Sequence, residues 1–318
     1  MEGRSANWER SCYNRRYLNT RLELLLDDFA TDALVVTQDG RPLIHYGHVD
    51  DIFNLASMRK SLLSALYGIR VANHTIDLSL TLEQLQVNDT TPQLSAAEKT
   101  ATIQDLLKLR SGVYHVANYE GMTAKEERPL RGSHAPGTFY YYNNWDANAL
   151  GTIYRQLTHQ DIFQDFKDLI ADPIGMSRFK VSDCEYNPPD EDSIHPAYVF
   201  HMNSIDLEKF VQLYLRNGNW NGIQIVPAHW IEQSLTAYSR LPDGNGLGYF
   251  WEVAMGGKLY GVDVGEAAFA FSGGPGHYMV GIPAQNKTVV HALSYDVPGK
   301  ATLPTERFAQ LLELISQL

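Results

Sequence analysis

Cysteine is nearly missing from this chain: Cys12 and Cys184 are the only two among 318 residues, and they stand far apart. No Cys-x-x-Cys pair or Cys/His spacing suited to zinc occurs, so neither a disulfide framework nor a structural zinc site is expected to organise the fold. Two free thiols are the default expectation, and one long-range disulfide is the alternative. Long apolar runs are also lacking. No stretch is long enough to span a bilayer, so no membrane insertion is expected. Met1 to Asn7 has no apolar signal core, which points to the cytoplasm, or to the periplasm if a leader has been trimmed. Positive charge is scarce. Lys and Arg number 26 against 37 Asp and Glu, giving a net charge of −11. That balance argues against nucleic acid and anionic membrane surfaces as partners and disfavours steering of anionic substrates. There is no internal repeat, no low-complexity segment and no Gly-x-Ser-x-Gly elbow, and the glycine pairs do not follow a strand into a helix as a phosphate loop requires.

Apolar residues make up 44% of the chain, enough for a sizeable core in one large domain or two interleaved ones. Leu22, Leu25, Leu26 and Phe29 form one stripe of a helix over Thr20–Phe29. A hairpin follows, Ala33–Thr37 and Leu43–Tyr46, with Asp39-Gly40 in its turn. Helical patterns then dominate: Met58–Ala72, Ile103–Leu109, Asn144–Gln156, Ile162–Ile170, Ile205–Leu215 and Pro227–Leu235. Strand patterns return at Tyr249–Ala254, Lys258–Val262, Ala267–Phe271, Tyr278–Ile282 and Thr288–Ser294, before a last helix over Thr305–Leu318. Strands at both ends with helices between predict an α+β fold, in which one antiparallel sheet is flanked by the terminal helices and carries an inserted, mainly helical lobe. The sheet part is expected from residues 15–56 and 241–318, the lobe from residues 57–240. A ligand cleft belongs between them. The long loop from Tyr114 to Thr138 could shape or lid that cleft, and Cys184 to Pro196 reads as a solvated loop.

Ser57-Met58-Arg59-Lys60 stands where an extended segment gives way to an apolar helix. Ser and Lys three residues apart share a helix face. A serine hydroxyl needs a neighbouring base, and a lysine can be that base if burial or nearby positive charge lowers its pKa. A helix start adds a positive dipole end and free N–H groups. Taken alone, the tetrapeptide would serve equally as a Ser N-cap followed by a solvated lysine. A second element is Tyr142-Asn143-Asn144, of the form Tyr-x-Asn, after Pro136-Gly137-Thr138. A phenol beside an ammonium can hold a lowered pKa and pass protons, and an Asn can position both lysine and substrate. Tyr140 and Tyr141 read as core aromatics.

These motifs together resemble the penicillin-recognising serine hydrolase superfamily, in its class C β-lactamase-like and family VIII esterase-like branch. S-x-x-K is the nucleophile motif of that superfamily. The resemblance covers roughly residues 30 to 318 and includes Thr102 to Val113, Met202 to Leu207, Ile225 to Trp230 and Gly248 to Trp251. It implies the same two-part fold. The third motif departs from the family, which carries Lys-Thr-Gly or His-x-Gly on a strand lining the site. Here Phe271 to Val280 reads Phe-Ser-Gly-Gly-Pro-Gly-His-Tyr-Met-Val. Either Gly274-Pro275-Gly276 takes the motif's place, with His277 following, or Ser272-Gly273-Gly274 does. In both registers the usual cation is missing, and the glycines would let a substrate approach the strand.

The resemblance implies a serine hydrolase working through an acyl-enzyme. Ser57 is then the nucleophile, Lys60 with Tyr142 the acid/base pair, and Asn144 the positioning group. The N–H groups of Ser57 and His277 form the oxyanion hole, with Gly274, Gly276 and Ser272 lining the substrate strand. No metal or cofactor is implied, and the expected partner is a small ester or amide. Two alternatives remain: β-lactam or D-amino-acid peptide hydrolysis, and a binding or sensor module on the same scaffold. A Ser-His-Asp triad using His115, His134, His195 or His201 is the rival mechanism. His45 and His48 read as structural.

Overall fold

The computed structural model describes residues 20–120, 125–189, 191–294 and 302–318. Cys12, residues 121–124 of the long loop and Asp190 lie outside these. The first helix, α1, covers residues 20–28 and buries Leu22 and Leu26, with Phe29 just past its end. Strands β1 (Ala33–Gln38) and β2 (Arg41–Gly47) form the expected hairpin. Its turn needs left-handed backbone at Asp39 (φ +53°) and Gly40 (φ +71°), which Asp-Gly supplies at little steric cost.

The late strands complete one sheet with β1 and β2: β3 (Ser239–Arg240), β4 (Gly246–Leu247), β5 (Glu252–Val253), β6 (Phe269–Gly273), β7 (His277–Ile282) and β8 (Lys287–Ala292). The eight strands run β2-β1-β8-β7-β6-β5-β4-β3, antiparallel throughout. The sheet is covered on both faces, and the period-two alternation sorts its side chains between them. Leu34, Val36, Val280 and Val289 share a core with α1 and the last helix, α8 (Thr305–Ser316), through Phe308, Leu311, Leu312 and Ile315. Val35, Phe271, Met279 and Val290 face the opposite way, into the core of the helical lobe.

The lobe contains α2 (Arg59–Ala72), α3 (Ile103–Leu107), α4 (Asn144–Thr158), α5 (Ile162–Phe166), α6 (Ser204–Leu215) and α7 (Ala228–Ser234). A π-helical turn over Lys167–Ala171 replaces the expected end of α5. Helix α6 lies on the sheet, and Glu208 fastens it there by accepting from Thr37 Oγ1 (2.7 Å) and Thr288 Oγ1 (2.5 Å). Two strand expectations shorten. Tyr249, Phe250 and Trp251 are fully buried, but Phe250 is left-handed (φ +59°), so the strand begins only at Glu252. Lys258–Leu259 pairs with Val262–Asp263 in a separate small hairpin rather than joining the sheet.

Candidate active site

Ser57 lies in a 3-10 turn, Ala56–Met58, directly before α2. The helix is capped by the backbone of Met58 with no side-chain cap, so the serine hydroxyl is not consumed as an N-cap. Ala56, just before the serine, sits at φ +47°, a strained conformation for a residue with a Cβ. Its N–H is held by the Asn54 side chain at 2.9 Å. Lys60 follows in the first turn of α2 and is fully buried, which removes the reading of a solvated lysine.

The three polar atoms close a triangle. Lys60 Nζ donates to Ser57 Oγ at 3.0 Å and to Tyr142 Oη at 2.9 Å, and Tyr142 Oη donates to Ser57 Oγ at 2.7 Å. Tyr142 arrives from 82 residues away, on the turn before α4. That turn is set by Asn143, whose side chain accepts from the Asp146 N–H at 2.7 Å and caps the helix. Burial, and next the charge of Arg59, push the Lys60 amine well below its usual range. The Tyr142 phenol moves up, not down as expected of a phenol beside an ammonium. Burial raises it, with a small contribution from Glu252, against opposing effects of the Ser57 hydrogen bond and Arg59. A proton therefore leaves Lys60 more readily than these groups' ordinary values suggest, while Tyr142 stays a neutral phenol. Tyr142 is 37% exposed, so the triangle opens to solvent on that side.

The remaining expected site residues are placed less simply. Asn144 is half-buried at the start of α4, and its Nδ2 donates to the Tyr119 carbonyl. Lys60's hydrogen bonds among the described residues go to Ser57 and Tyr142, not to Asn144. Tyr119 in turn accepts from Asn54 Nδ2 at 3.1 Å, so the loop before residue 121 is tied to both sides of the serine. On the sheet, the residue against the nucleophile is Gly273, at the end of β6. A Cβ there would lie 2.8 Å from the Leu55 carbonyl oxygen and 3.1 Å from the Ser57 nitrogen, so only glycine fits without displacing backbone. Gly276 instead packs against Leu293 and Leu303. His277 opposes Gly273 in the hairpin, fully buried, with its imidazole against Phe53. Burial, with His291 next, pushes the His277 ring down to about 3, so it is neutral. Of the two registers expected for the third motif, Ser272-Gly273-Gly274 includes the glycine that lies against the serine backbone, whereas Gly276 of Gly274-Pro275-Gly276 lies away from it. Gly274, common to both, is exposed. Three glycines in four positions offer no side chain to fix the count from sequence.

No histidine is bonded to Ser57 among the described residues. His115 Nδ1 donates to the Val116 carbonyl, His134 stacks on Phe139, His195 bridges Thr152 and the Asn88 carbonyl, and His201 pairs with Asn54 in a short ladder. Two charged residues near the site escaped the sequence reading. Arg59 is 1% exposed; its Nη2 donates to Asn148 Oδ1 at 2.8 Å and its guanidinium lies 4.4 Å from the centre of the Tyr198 ring. The signal available was a charged residue inside S-x-x-K on an otherwise apolar helix. Glu252 on β5 lies beside Ser272. Burial, and next Asp243, push its carboxyl up to about 7, against opposing hydrogen bonds from Tyr260, Asn245 and Ser272. A carboxyl group therefore stands near the strand on which relatives of the resemblance carry a cation.

Two arginines of the central loops, Arg110 and Arg131, are engaged elsewhere. Arg110 donates to the carbonyls of Gly137 and Thr138 at 3.0 Å each, to Tyr238 O at 2.8 Å and to Ser239 Oγ at 3.1 Å. Arg131 is engaged by Glu98 and the Gln93 carbonyl. Beyond Tyr142 a cavity of about 710 Å³ opens, lined by Phe139, Tyr140, Tyr142 and Leu241, with Glu127 and Arg240 as its charges.

Cys184 is a free thiol, with burial pushing its pKa up to about 11. No helix of the described residues is long and apolar enough to cross a membrane. No curated protein is similar enough in sequence to count as a match. Among solved structures, the fold is shared with a protein provisionally named a 6-aminohexanoate-dimer hydrolase from Bacillus anthracis (TM-score 0.69, 20% identity, 93% of this chain and 81% of that one). It is also shared with D-alanine carboxypeptidase AmpC from Burkholderia cenocepacia (0.65, 19%, 96% and 99%) and with an octameric penicillin-binding protein homologue from Pyrococcus abyssi (0.67, 17%, 94% and 77%). The family model described as Beta-lactamase matches residues 20–312, nearly the whole described chain, and the protein belongs to that family.

Proposed function

We propose that the protein is a serine hydrolase that passes through an acyl-enzyme on Ser57 and acts on a small, uncharged ester or amide. The observation that carries this reading is the closed triangle of Ser57 Oγ, Lys60 Nζ and Tyr142 Oη, with every side between 2.7 and 3.0 Å. With a neutral Lys60 the triangle can run as a cycle. Ser57 donates to Lys60, Lys60 to Tyr142 and Tyr142 to Ser57, so each group gives and receives one hydrogen bond. The serine proton moves to Lys60 as Oγ attacks the carbonyl. It then returns through Tyr142 to the leaving oxygen or nitrogen, and water reverses the sequence to release the acid. The N–H groups of Ser57 and Gly274 are the proposed oxyanion donors, since Gly273 brings the end of β6 against the serine backbone. Asn144, held through Tyr119, borders the substrate.

The substrate class follows from charge and shape. No lysine or histidine occupies the Phe271-Ser272-Gly273 segment, Arg110 and Arg131 are engaged elsewhere, and Glu252 stands nearby. A substrate carboxylate would meet little attraction there. The aromatic walls of the cavity beyond Tyr142 suit an apolar acyl or alcohol group. Incubation with a fluorophosphonate, followed by peptide mass analysis, tests the reading. An adduct on the Ser57 peptide, absent in Ser57→Ala, is expected; an unlabelled wild-type protein would discard it. Turnover of a simple ester, abolished in Ser57→Ala, separates an enzyme from a binding module on the same scaffold.

A further inference from the structure

Arg59 is a buried cation without an acidic partner. Its side chain is 1% exposed, and among the described residues no carboxylate forms an ion pair with it. Nη2 is held by Asn148 Oδ1, Asn148 Nδ2 is itself held by the Asn118 carbonyl at 2.9 Å, and Nη1 has no hydrogen-bond partner among the described residues. The guanidinium lies over the Tyr198 ring. A guanidinium keeps its charge at any working pH, and burying one unpaired is costly.

We propose that Arg59 is a positioning residue for the acyl-transfer reaction: an unneutralised charge walled in next to Lys60 that keeps the lysine amine unprotonated and able to accept the serine proton. This rests on the reading of Ser57 and Lys60 as the acylating pair. The neighbours agree in sign. Among the described residues Lys60 is bonded to Ser57, one turn before it, and to Tyr142 from across the cleft; Arg59 precedes it on α2, and no carboxylate is bonded to it. Tyr198, whose ring lies against the Arg59 guanidinium, is a neutral phenol, and Glu252 on β5 acts on Tyr142 rather than on Lys60. Arg59 also opposes the burial of Tyr142 and Tyr198, so one charge biases the whole cluster.

The test follows the amine itself as well as the reaction. Protein labelled with ¹³C-lysine gives a Cε resonance for Lys60, identified by its loss in Lys60→Met, whose position against pH reports the titration. In Arg59→Gln the titration should move up by roughly one pH unit, since one charge at close range acts with about that strength in a protein interior. The pH at which fluorophosphonate labelling of Ser57 rises should move with it. Arg59→Lys, which keeps a charge, should restore most of the shift. Asn148→Asp, which sets a counter-charge against the intact guanidinium, should raise the titration as Arg59→Gln does. An unmoved titration in a folded Arg59→Gln or Asn148→Asp protein overturns the proposal. Failure of all three variants to fold would also overturn it, because the guanidinium would then be there for packing. Absence of labelling in the wild type, with the titration behaving as described, would count against the acyl-enzyme reading and leave the role of Arg59 standing.

Discussion

At the scale of single residues, the proposed chemistry rests on which member of the triangle holds a proton at rest. Burial drives the Lys60 amine down and the Tyr142 phenol up, so the amine is the base and the phenol the carrier. Lys60→Arg places a group that stays protonated at that position. Burst acylation should fall by about a hundredfold or more; near-normal bursts would mean that the proton goes elsewhere. Tyr142→Phe should likewise cut turnover by about two to four orders of magnitude. Tyr141→Phe should do little, because Tyr141 is buried with its ring edge-on to Tyr114. A damaging Tyr141→Phe with an innocuous Tyr142→Phe would break the assigned register. Ser57 and Lys60 were legible in the sequence because helix geometry brings residues three apart together. Tyr142 stood out by its Tyr-x-Asn form, but nothing local could join it to Ser57 and Lys60 across 82 residues. Arg59 and Glu252 were missed because their weight comes from burial, which a sequence window does not display.

Among the elements, α4 carries a cost that depends on pH. Asp146 sits in its first turn, fully buried, with Oδ1 accepting from Ser111 Oγ at 2.5 Å and Oδ2 without a partner among the described residues. Burial pushes its carboxyl up to about 7, despite the bonds from Ser111 and Asn143. The ordinary carboxyl of an unfolded chain ionises near 4. Between those values the folded protein holds a proton that the unfolded chain has lost, so stability falls as pH rises through the window. Asp146→Asn keeps the shape and cannot ionise. It should raise the melting temperature at pH 8 and change it little at pH 4; an equal change at both would remove the charge from the explanation. Elements were read from the sequence with similar unevenness. The β1–β2 hairpin and the long helices followed from periodicity and turn residues. The strand over Tyr249–Ala254 did not, because three buried aromatics in succession looked extended while Phe250 in fact turns left-handed.

Over the whole molecule, charge and fold together set the expected substrate. The chain carries a net charge of −11, the β6 strand end carries no cation, and Glu252 stands beside it. A charge-assisted hydrogen bond to a substrate carboxylate is worth roughly 1.5–3 kcal/mol, so its loss costs about ten- to a hundredfold. An uncharged p-nitrophenyl ester should therefore show the higher kcat/KM when compared with a chromogenic cephalosporin. A clear preference for the cephalosporin would reverse this, and Arg240 on the cavity wall would be the first cation to examine. The two-part plan, with a sheet from both chain ends and helices between, was readable because strand and helix patterns segregate along the sequence. The position of Gly273 against the serine was not, because it depends on how the sheet meets the lobe.

Arg110 joins that same boundary. Its guanidinium ties the carbonyls of Gly137 and Thr138, on the approach to Tyr142, to Tyr238 and Ser239 at the outer strand of the sheet. Seen mechanically, it is a rivet between the two jaws of the cleft, and the jaws share their local opening as long as it holds. In hydrogen-exchange experiments the amides of residues 137–142 and 238–240 should then exchange at a common rate. In Arg110→Ala the first group should exchange faster than the second, and KM should rise more than kcat falls, since the gap widens while the triangle of Ser57, Lys60 and Tyr142 keeps its own bonds.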